Sequence, residues 1–474
     1  MEQKSPTKQA RACDYDDIAR RKIDFATAGL YPFIYKDLTQ NVSRENALNI
    51  AEYILAMKTE TNLSDLYRLS TIQTLSHLSR FSKNKLFANM TRDEVLFYLD
   101  SVRKPDTLDP LHKWIGTYNL KRIVLLRFFR WLYYPNEEPK IRKIPLMMEN
   151  IPILKRREQS IYKPTDLWTV EDDLLFLKYC PNKRDKCYHA ISRDTSCRPH
   201  EILRLTIKDV LFKTTSNNYQ YAEVLVNGKT GSRSTPLFNS IPYIKDWLDD
   251  HIQMGNPNAI LIPSRDRKNF GKKLSGNSIN HIYGIYKSKY FPKLIEDPEV
   301  PIEDKNRIME LLKKPWNPYI RRHSALTEKS MILKEHTLRQ HAGWSGRSQM
   351  HLKYIHYFGN ESSEGLLEAY GIIAKDKQRS DVLKPKQCPN CNEPNKPDSR
   401  FCTKCRMVLT YDAYTKTLEE DQEKQNRMSA IEERILSMES LMQNYLAAAQ
   451  KMDPTSRNQF AKKLFESGVY EREI

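Results

Sequence analysis

Between residues 44 and 134 the apolar positions recur at helical spacing in four runs, NALNIAEYILAMK, SDLYRLSTIQTLSHLSRF, RDEVLFYLDSV and LHKWIGTYNLKRIVLLRFFRWLYY. Steps of three and four residues gather apolar side chains on one helical face, and the fourth run is apolar on most faces. Asp93 or Thr91 is placed to cap the third helix and Pro135 to stop the fourth. Residues 41–135 therefore predict an all-helical domain. Residues 1–40 are polar and mixed, with few periodic apolar positions, and predict an extended or partly ordered arm. Residues 136–164 combine prolines with Lys140, Arg142, Lys143, Lys155, Arg156 and Arg157. Prolines disfavour helix and charges disfavour burial, so an exposed basic linker is predicted.

From residue 165 to 371 the pattern mixes periods. WTVEDDLLFLKYC reads as a helix capped by Thr169, and SCRPHEILRLTIKDV opens a helix at Arg198 with Glu201 three residues on. YAEVLVNGKTGSRSTPLF alternates, breaks at Asn227-Gly228 and extends again, which predicts a β-hairpin with Lys229 at its tip. YIKDWLDDHIQ resumes the helices. The fold class is mainly α with a small β-hairpin or sheet in this segment. Further on, within residues 416–452, Met428, Ile431, Ile435, Met438, Met442, Tyr445 and Ala449 repeat at alternating spacings of three and four, as an amphipathic or coiled-coil helix does. Residues 453–474 form a tail.

Charge narrows the partners. Lys and Arg number 77 against 59 Asp and Glu in 474 residues, a net +18 with a pI near 9.3. Such an excess favours an extended polyanion through phosphate contacts and counterion release. No run of about 18 apolar residues occurs and the N-terminus is polar, so a soluble cytoplasmic protein without a membrane partner is expected, associated with the nucleoid. No G-x-x-x-x-G-K-S/T stretch supports ATP-driven chemistry.

Of eight cysteines, Cys13, Cys180, Cys187 and Cys197 show no paired pattern. The other four form CPNC and CTKC knuckles, Cys388, Cys391, Cys402 and Cys405. Two C-x-x-C pairs can set four thiolates tetrahedrally about zinc, and the polar NEPNKPDSRF between them is too short for a core of its own. Residues 385–410 thus predict a zinc ribbon with structural zinc.

The candidate chemistry lies in Arg198, Lys229, Arg322 of NPYIRRHSALTEKS, Trp344 and Tyr354 of HAGWSGRSQMHLKYIHYFG. Two arginines, a lysine and a tyrosine without an acidic partner describe phosphoryl transfer without a metal. Arginine forks grip non-bridging phosphate oxygens and stabilise the charge that builds on pentacoordinate phosphorus. A phenol with an ordinary pKa of about 10 needs such cations, or a base, before it attacks at neutral pH. Lys229 on a hairpin tip is placed to protonate the departing 5′ oxygen. Trp344 can donate its indole N–H to phosphate and pack beside Tyr354.

This order and context resemble the tyrosine recombinase (phage integrase) family over roughly residues 40 to 370, especially integrases of archaeal viruses and plasmids. The resemblance implies a helical core-binding domain followed by a catalytic domain. It implies that Arg198 is the first catalytic arginine, Lys229 the hairpin lysine, Arg322 the second arginine of the H-x-x-R-H box and Tyr354 the nucleophile. Trp344 matches a position that is histidine in most members and tryptophan in some. Tyr319 stands where that box has its first histidine, and could donate a hydrogen bond. His323 follows Arg322 as an orienting residue, Tyr357 is the rival nucleophile, and His351 and His356 have no assigned role. The implied activity cuts and rejoins duplex double-stranded DNA through a 3′-phosphotyrosyl intermediate, consuming no cofactor, with self-assembly as a dimer or tetramer on DNA. A type IB topoisomerase and a DNA-binding regulator with a decayed recombinase domain are the alternatives.

Overall fold

The computed structural model describes residues 16–61, 64–156, 162–228, 231–354, 370, 382–451 and 453–466. The chain divides into two compact units, 1–161 and 162–474, each with its own core.

The first unit is built from helices α1 (Asp17–Thr27), α2 (Pro32–Gln40), α3 (Arg44–Thr61), α4 (Asp65–Phe81), α5 (Arg92–Asp100) and α6 (Trp114–Tyr133). The last four coincide with the four periodic runs. Thr91 caps α5 through a reciprocal capping box with Glu94, which satisfies two otherwise orphaned N–H groups. Phe128 and Phe129 of α6 are fully buried against Tyr53 and Phe87, edge-on for the Phe128 pairs.

Two expectations fail here. The stretch read as an arm is helical from Asp17, and Ile23, Ala26, Ile34 and Leu38 lie in the core of the bundle. The buried Arg68 of α4 secures the end of α1 by donating to the carbonyl oxygens of Ala26 (3.4 Å) and Ala28 (2.7 Å). The stretch read as an exposed linker is only partly exposed. Met147, Met148 and Ile151 join the core, and Arg142 is buried because Glu60 receives its guanidinium in two hydrogen bonds of 2.9 and 2.6 Å. Proline excludes α-helix here but not burial, and a bidentate carboxylate makes a buried arginine tolerable.

The second unit opens with α7 (Val170–Tyr179), capped by Thr169 in a capping box with Asp172, then α8 (Lys183–Thr195) and the short α9 (Pro199–Ile202). Strands β1 (Val210–Thr214), β2 (Gln220–Gly228) and β3 (Gly231–Leu237) form one antiparallel sheet in sequence order. The expected hairpin is β2–β3, closed by the pair Gly228 and Gly231; β1 was not foreseen. Its register sets Ala222, Val224, Val226 and Leu237 inward on the core. Helices α10 (Ile241–Asp249), α11 (Gly276–Ile285), α12 (Phe291–Glu296), α13 (Ile302–Lys313), α14 (Pro318–Ile332) and α15 (Glu335–Ala342) follow.

Beyond these come β4 (Lys386–Gln387), paired with β5 (Pro394–Asn395), and a C-terminal helix, Tyr411–Gln450, five residues longer at its start than the region expected. A shorter helix, Pro454–Glu466, lies in what was read as a tail. Among the described residues no helix is long and apolar enough to cross a membrane.

Candidate active site

Arg322 is fixed first. Helix α14 is capped by Asn317, whose carboxamide oxygen accepts from the N–H groups of Tyr319 and Ile320, and Arg322 follows one turn in, buried. Its guanidinium donates to the carbonyl of Ser196 and, at 2.9 Å, to that of Ala342. Ser196 ends α8 in the left-handed conformation, φ 50°, which turns its carbonyl toward the arginine. Two residues later stands Arg198, one quarter exposed, donating to Glu201 Oε1 at 3.0 Å. Burial, and then the neighbouring Arg198, push the Arg322 pKa below its ordinary value.

Tyr354 is buried beside this pair. Its phenol oxygen lies 3.0 Å from Nδ1 of His323, and its ring stacks with those of His323 (5.7 Å, 24°) and Trp344 (5.4 Å, 26°). Burial pushes the phenol up to about 12, a rise that Arg322 and then Arg198 oppose. His323 is pushed down to about 4, by burial and then by the positive charges of Lys353 and Arg322, so it is neutral at pH 7. The structure therefore brings together Arg198, Arg322, Trp344, Tyr354 and His323. Tyr319 is about half exposed, and its phenol makes no hydrogen bond to Arg198, Arg322 or Tyr354 among the described residues. Lys229, His356 and Tyr357 lie outside the described residues; the strands flanking Lys229 are in place. His351 is buried in a cluster with Glu335 (2.9 Å) and Arg339.

Sequence reasoning missed the support of Arg198. Glu201 is buried rather than surface-paired, and receives Arg198 on one oxygen and Arg233 of β3 on the other, at 2.9 Å. Arg233 also donates to Cys197 Sγ (3.1 Å) and to the His341 carbonyl (3.1 Å), tying α9, β3 and α15 into one frame. Burial works to raise the Glu201 carboxyl, but the hydrogen bonds from Arg233 and the Arg198 N–H hold it below its ordinary value. Gly228 and Gly343 make room for this frame: a Cβ at either would meet the Arg233 guanidinium at 3.0 or 2.5 Å, and Gly343 also has φ +64°. The only signal for Arg233 was its place two residues past the hairpin turn.

The four ribbon cysteines converge, their sulfurs all within 4.8 Å of one another. Tetrahedral zinc with bonds of about 2.3 Å separates its sulfurs by roughly 3.8 Å, and the Cys388–Cys405 and Cys391–Cys402 pairs stand at 3.5 and 3.6 Å. Both knuckles have one shape. The residue after the second cysteine is left-handed, Asn392 at φ 55° and Arg406 at φ 62°, and its N–H donates to the carbonyl of the first cysteine at 2.9 and 3.0 Å. The residues present fit a tetrahedral thiolate metal site. The ribbon docks on α10 through Lys245–Glu393 and Lys396–Asp246, both 2.5 Å, and Leu383 packs with Leu177, Ala190 and Tyr243. Lys396 is thus turned onto α10.

No family model matches the chain, and no curated protein matches it. It is similar in structure to the XerH site-specific recombinase in a post-cleavage complex with palindromic difH substrate, at 16% identity over 74% of this chain and 95% of that one, TM-score 0.44. It is also similar to the Tn1549 transposon integrase in complex with circular intermediate DNA, at 14% identity over 68% of this chain and 99% of that one, TM-score 0.43. A third likeness is to a lambda integrase dimer bound to a COC′ core site, at 10% identity over 72% of this chain and 86% of that one, TM-score 0.45.

Proposed function

We propose that this protein is a tyrosine recombinase that cuts and rejoins duplex DNA at specific sites through a 3′-phosphotyrosyl intermediate. The observation that carries the reading is the buried Tyr354 phenol, placed by His323 and Trp344 and packed in one cluster with Ala342, whose carbonyl holds the buried Arg322. A scissile phosphate bound by the two guanidinia would be polarised by them, and the same charges favour the phenolate that attacks it. The phenol proton is proposed to pass to solvent as the guanidinia stabilise the phenolate; Tyr354 Oη forms the bond to phosphorus while the bond to the 5′ oxygen breaks, and Lys229 is proposed to give that oxygen its proton. A free 5′ hydroxyl of another strand then attacks the phosphotyrosine, and the tyrosine leaves. No metal and no cofactor take part in these steps.

His323 holds the phenol oxygen and Trp344 covers the ring. Residues 41–135 are proposed to bind DNA as a core-binding domain and residues 165–371 to carry catalysis. The net charge of +18 supports contact with many phosphates. The same reading places the protein beside the nucleoid in the cytoplasm and assembles it as a dimer or tetramer on DNA. Cys388, Cys391, Cys402 and Cys405 would hold a structural zinc, which would cross-link the two knuckles.

The test is exchange between two sites. A plasmid carrying two copies of the attachment site should recombine, whereas relaxation of supercoiled DNA without exchange would make the chain a type IB topoisomerase. Absence of both activities and of covalent capture would leave a DNA-binding regulator.

A further inference from the structure

The C-terminal helix Tyr411–Gln450 extends about 60 Å at 1.5 Å per residue. Every described residue from Leu418 to Ala448 is exposed. On one stripe of it Met428, Ile431, Ile435, Met438 and Met442 are each more than half exposed to water, with Tyr445 continuing the row. An apolar stripe of this length on a solvated helix marks an interaction surface.

We propose that this helix pairs with the same helix of a second copy of the chain, as a parallel, in-register two-stranded coiled coil over Met428–Tyr445. The spacing assigns Met428, Ile435 and Met442 to the a positions of a heptad, and Ile431, Met438 and Tyr445 to the d positions. The flanks then decide partner and direction. Arg427, Arg434 and Leu441 fall at g; Glu432, Glu439 and Leu446 fall at e.

In a parallel pair each g residue faces the e residue of the following heptad across the seam. Arg427 meets Glu432 of the second copy, Arg434 meets Glu439 of the second copy, and Leu441 meets Leu446 of the second copy. Two-fold symmetry doubles every one of these contacts, so no charge beside the seam lacks an opposite.

The antiparallel alignment that keeps the same six apolar layers does the reverse. There g faces g and e faces e, so Glu432 meets Glu439 of the second copy, twice, and Arg434 is set against Leu441 of the second copy. Like charges opposed in this way are destabilising, and the parallel arrangement wins.

DNA does not fit this surface. The helix carries Lys416, Lys424, Arg427 and Arg434 against eight carboxylates, Asp412, Glu419, Glu420, Asp421, Glu423, Glu432, Glu433 and Glu439, a net charge of −4 in a chain of +18. A helix of that sign repels phosphates and leaves a second copy as the occupant. The seam also has a defined start. One heptad before Met428 and Ile431, the a and d positions hold Asp421 and Lys424, where a parallel pair would face like against like.

The test needs no DNA, so its failure would leave the strand-transfer reading untouched. Light scattering of the full-length protein at micromolar concentration should give a dimer, and Ile435→Asp with Met438→Asp should give a monomer. The doubles Arg427→Glu/Arg434→Glu and Glu432→Arg/Glu439→Arg should each weaken self-association at least tenfold, and an equimolar mixture of the two should form a heterodimer. Met442→Cys should cross-link to itself on mild oxidation beyond the level of the unsubstituted chain. A monomeric full-length protein, a trimer or tetramer, charge variants that dimerise undiminished, or cross-linking of Met428→Cys only when mixed with Tyr445→Cys would each overturn the proposal.

Discussion

The phenol oxygen of Tyr354 and Nδ1 of His323 lie 3.0 Å apart across a stacked pair of rings. Burial lowers His323 to about 4 and raises the phenol to about 12, disfavouring charge on both, so proton transfer between them is uphill. His323 therefore orients the phenol and does not act as its base in the resting site. His323→Ala should lower the single-turnover cleavage rate by about tenfold or more while leaving DNA affinity within about twofold, and His323→Gln should recover part of the loss by keeping a hydrogen-bonding group.

The same burial couples the fold to acid. His323 and His189 sit at about 4 and His341 at about 3, each lowered from an ordinary value of 6.5, with burial the largest cause. A depressed histidine binds its proton more readily when unfolded. Its contribution to stability is full above pH 6.5 and is lost as pH falls toward 4. The urea midpoint of the second unit should drop between pH 6.5 and 4.5; a flat profile there would contradict this burial.

Arg233 controls Arg198 from a distance. Removing it leaves Glu201 with one cation instead of two in a buried position, and frees Glu201 to pull Arg198 out of place. Arg233→Ala should destabilise the second unit by about 1–3 kcal/mol and slow cleavage at saturating DNA, and Arg233→Lys should restore stability more than rate. Wild-type cleavage by Arg233→Ala would show that Arg198 does not depend on this frame.

Arg198→Ala and Arg322→Ala should each slow cleavage by on the order of a hundredfold or more, as loss of one preorganised oxyanion donor does. Lys229→Ala should be rescued selectively by a 5′-bridging phosphorothiolate, which leaves without a proton. Equal defects on the two substrates would remove the lysine from that role.

Much of this was legible in the residues. The four runs of residues 44–134 became α3 to α6, and Thr91 and Thr169 cap the helices they were read to cap. Helix α1 was missed because its core contacts are Ala19, Ile23 and Ala26, and alanines do not stand out as an apolar stripe. The burial of Arg142 depends on Glu60, 82 positions away, which no local pattern reveals. Arg198, Arg322, Trp344 and Tyr354, which the structure gathers, could be picked out as candidates because each carries a local motif. Arg233 was not, because its role exists only where β3 meets α9 and α15.

One zinc per chain is expected in the ribbon. So short a segment has little apolar area to bury, so metal binding and folding should coincide. Replacing Cys388 and Cys391 by serine should abolish the zinc, and should loosen the Leu383 packing on α7, α8 and α10 without removing cleavage at a single site. Full zinc content in that variant would place the metal elsewhere.

Tyr354 is proposed to supply the nucleophilic oxygen that attacks DNA. A nicked suicide substrate traps the covalent intermediate, because the released fragment diffuses away before it can attack. Wild-type protein and Tyr357→Phe should both accumulate the protein–DNA adduct, while Tyr354→Phe should bind the substrate with nearly unchanged affinity and form none. An adduct that survives in Tyr354→Phe and disappears in Tyr357→Phe would contradict the account.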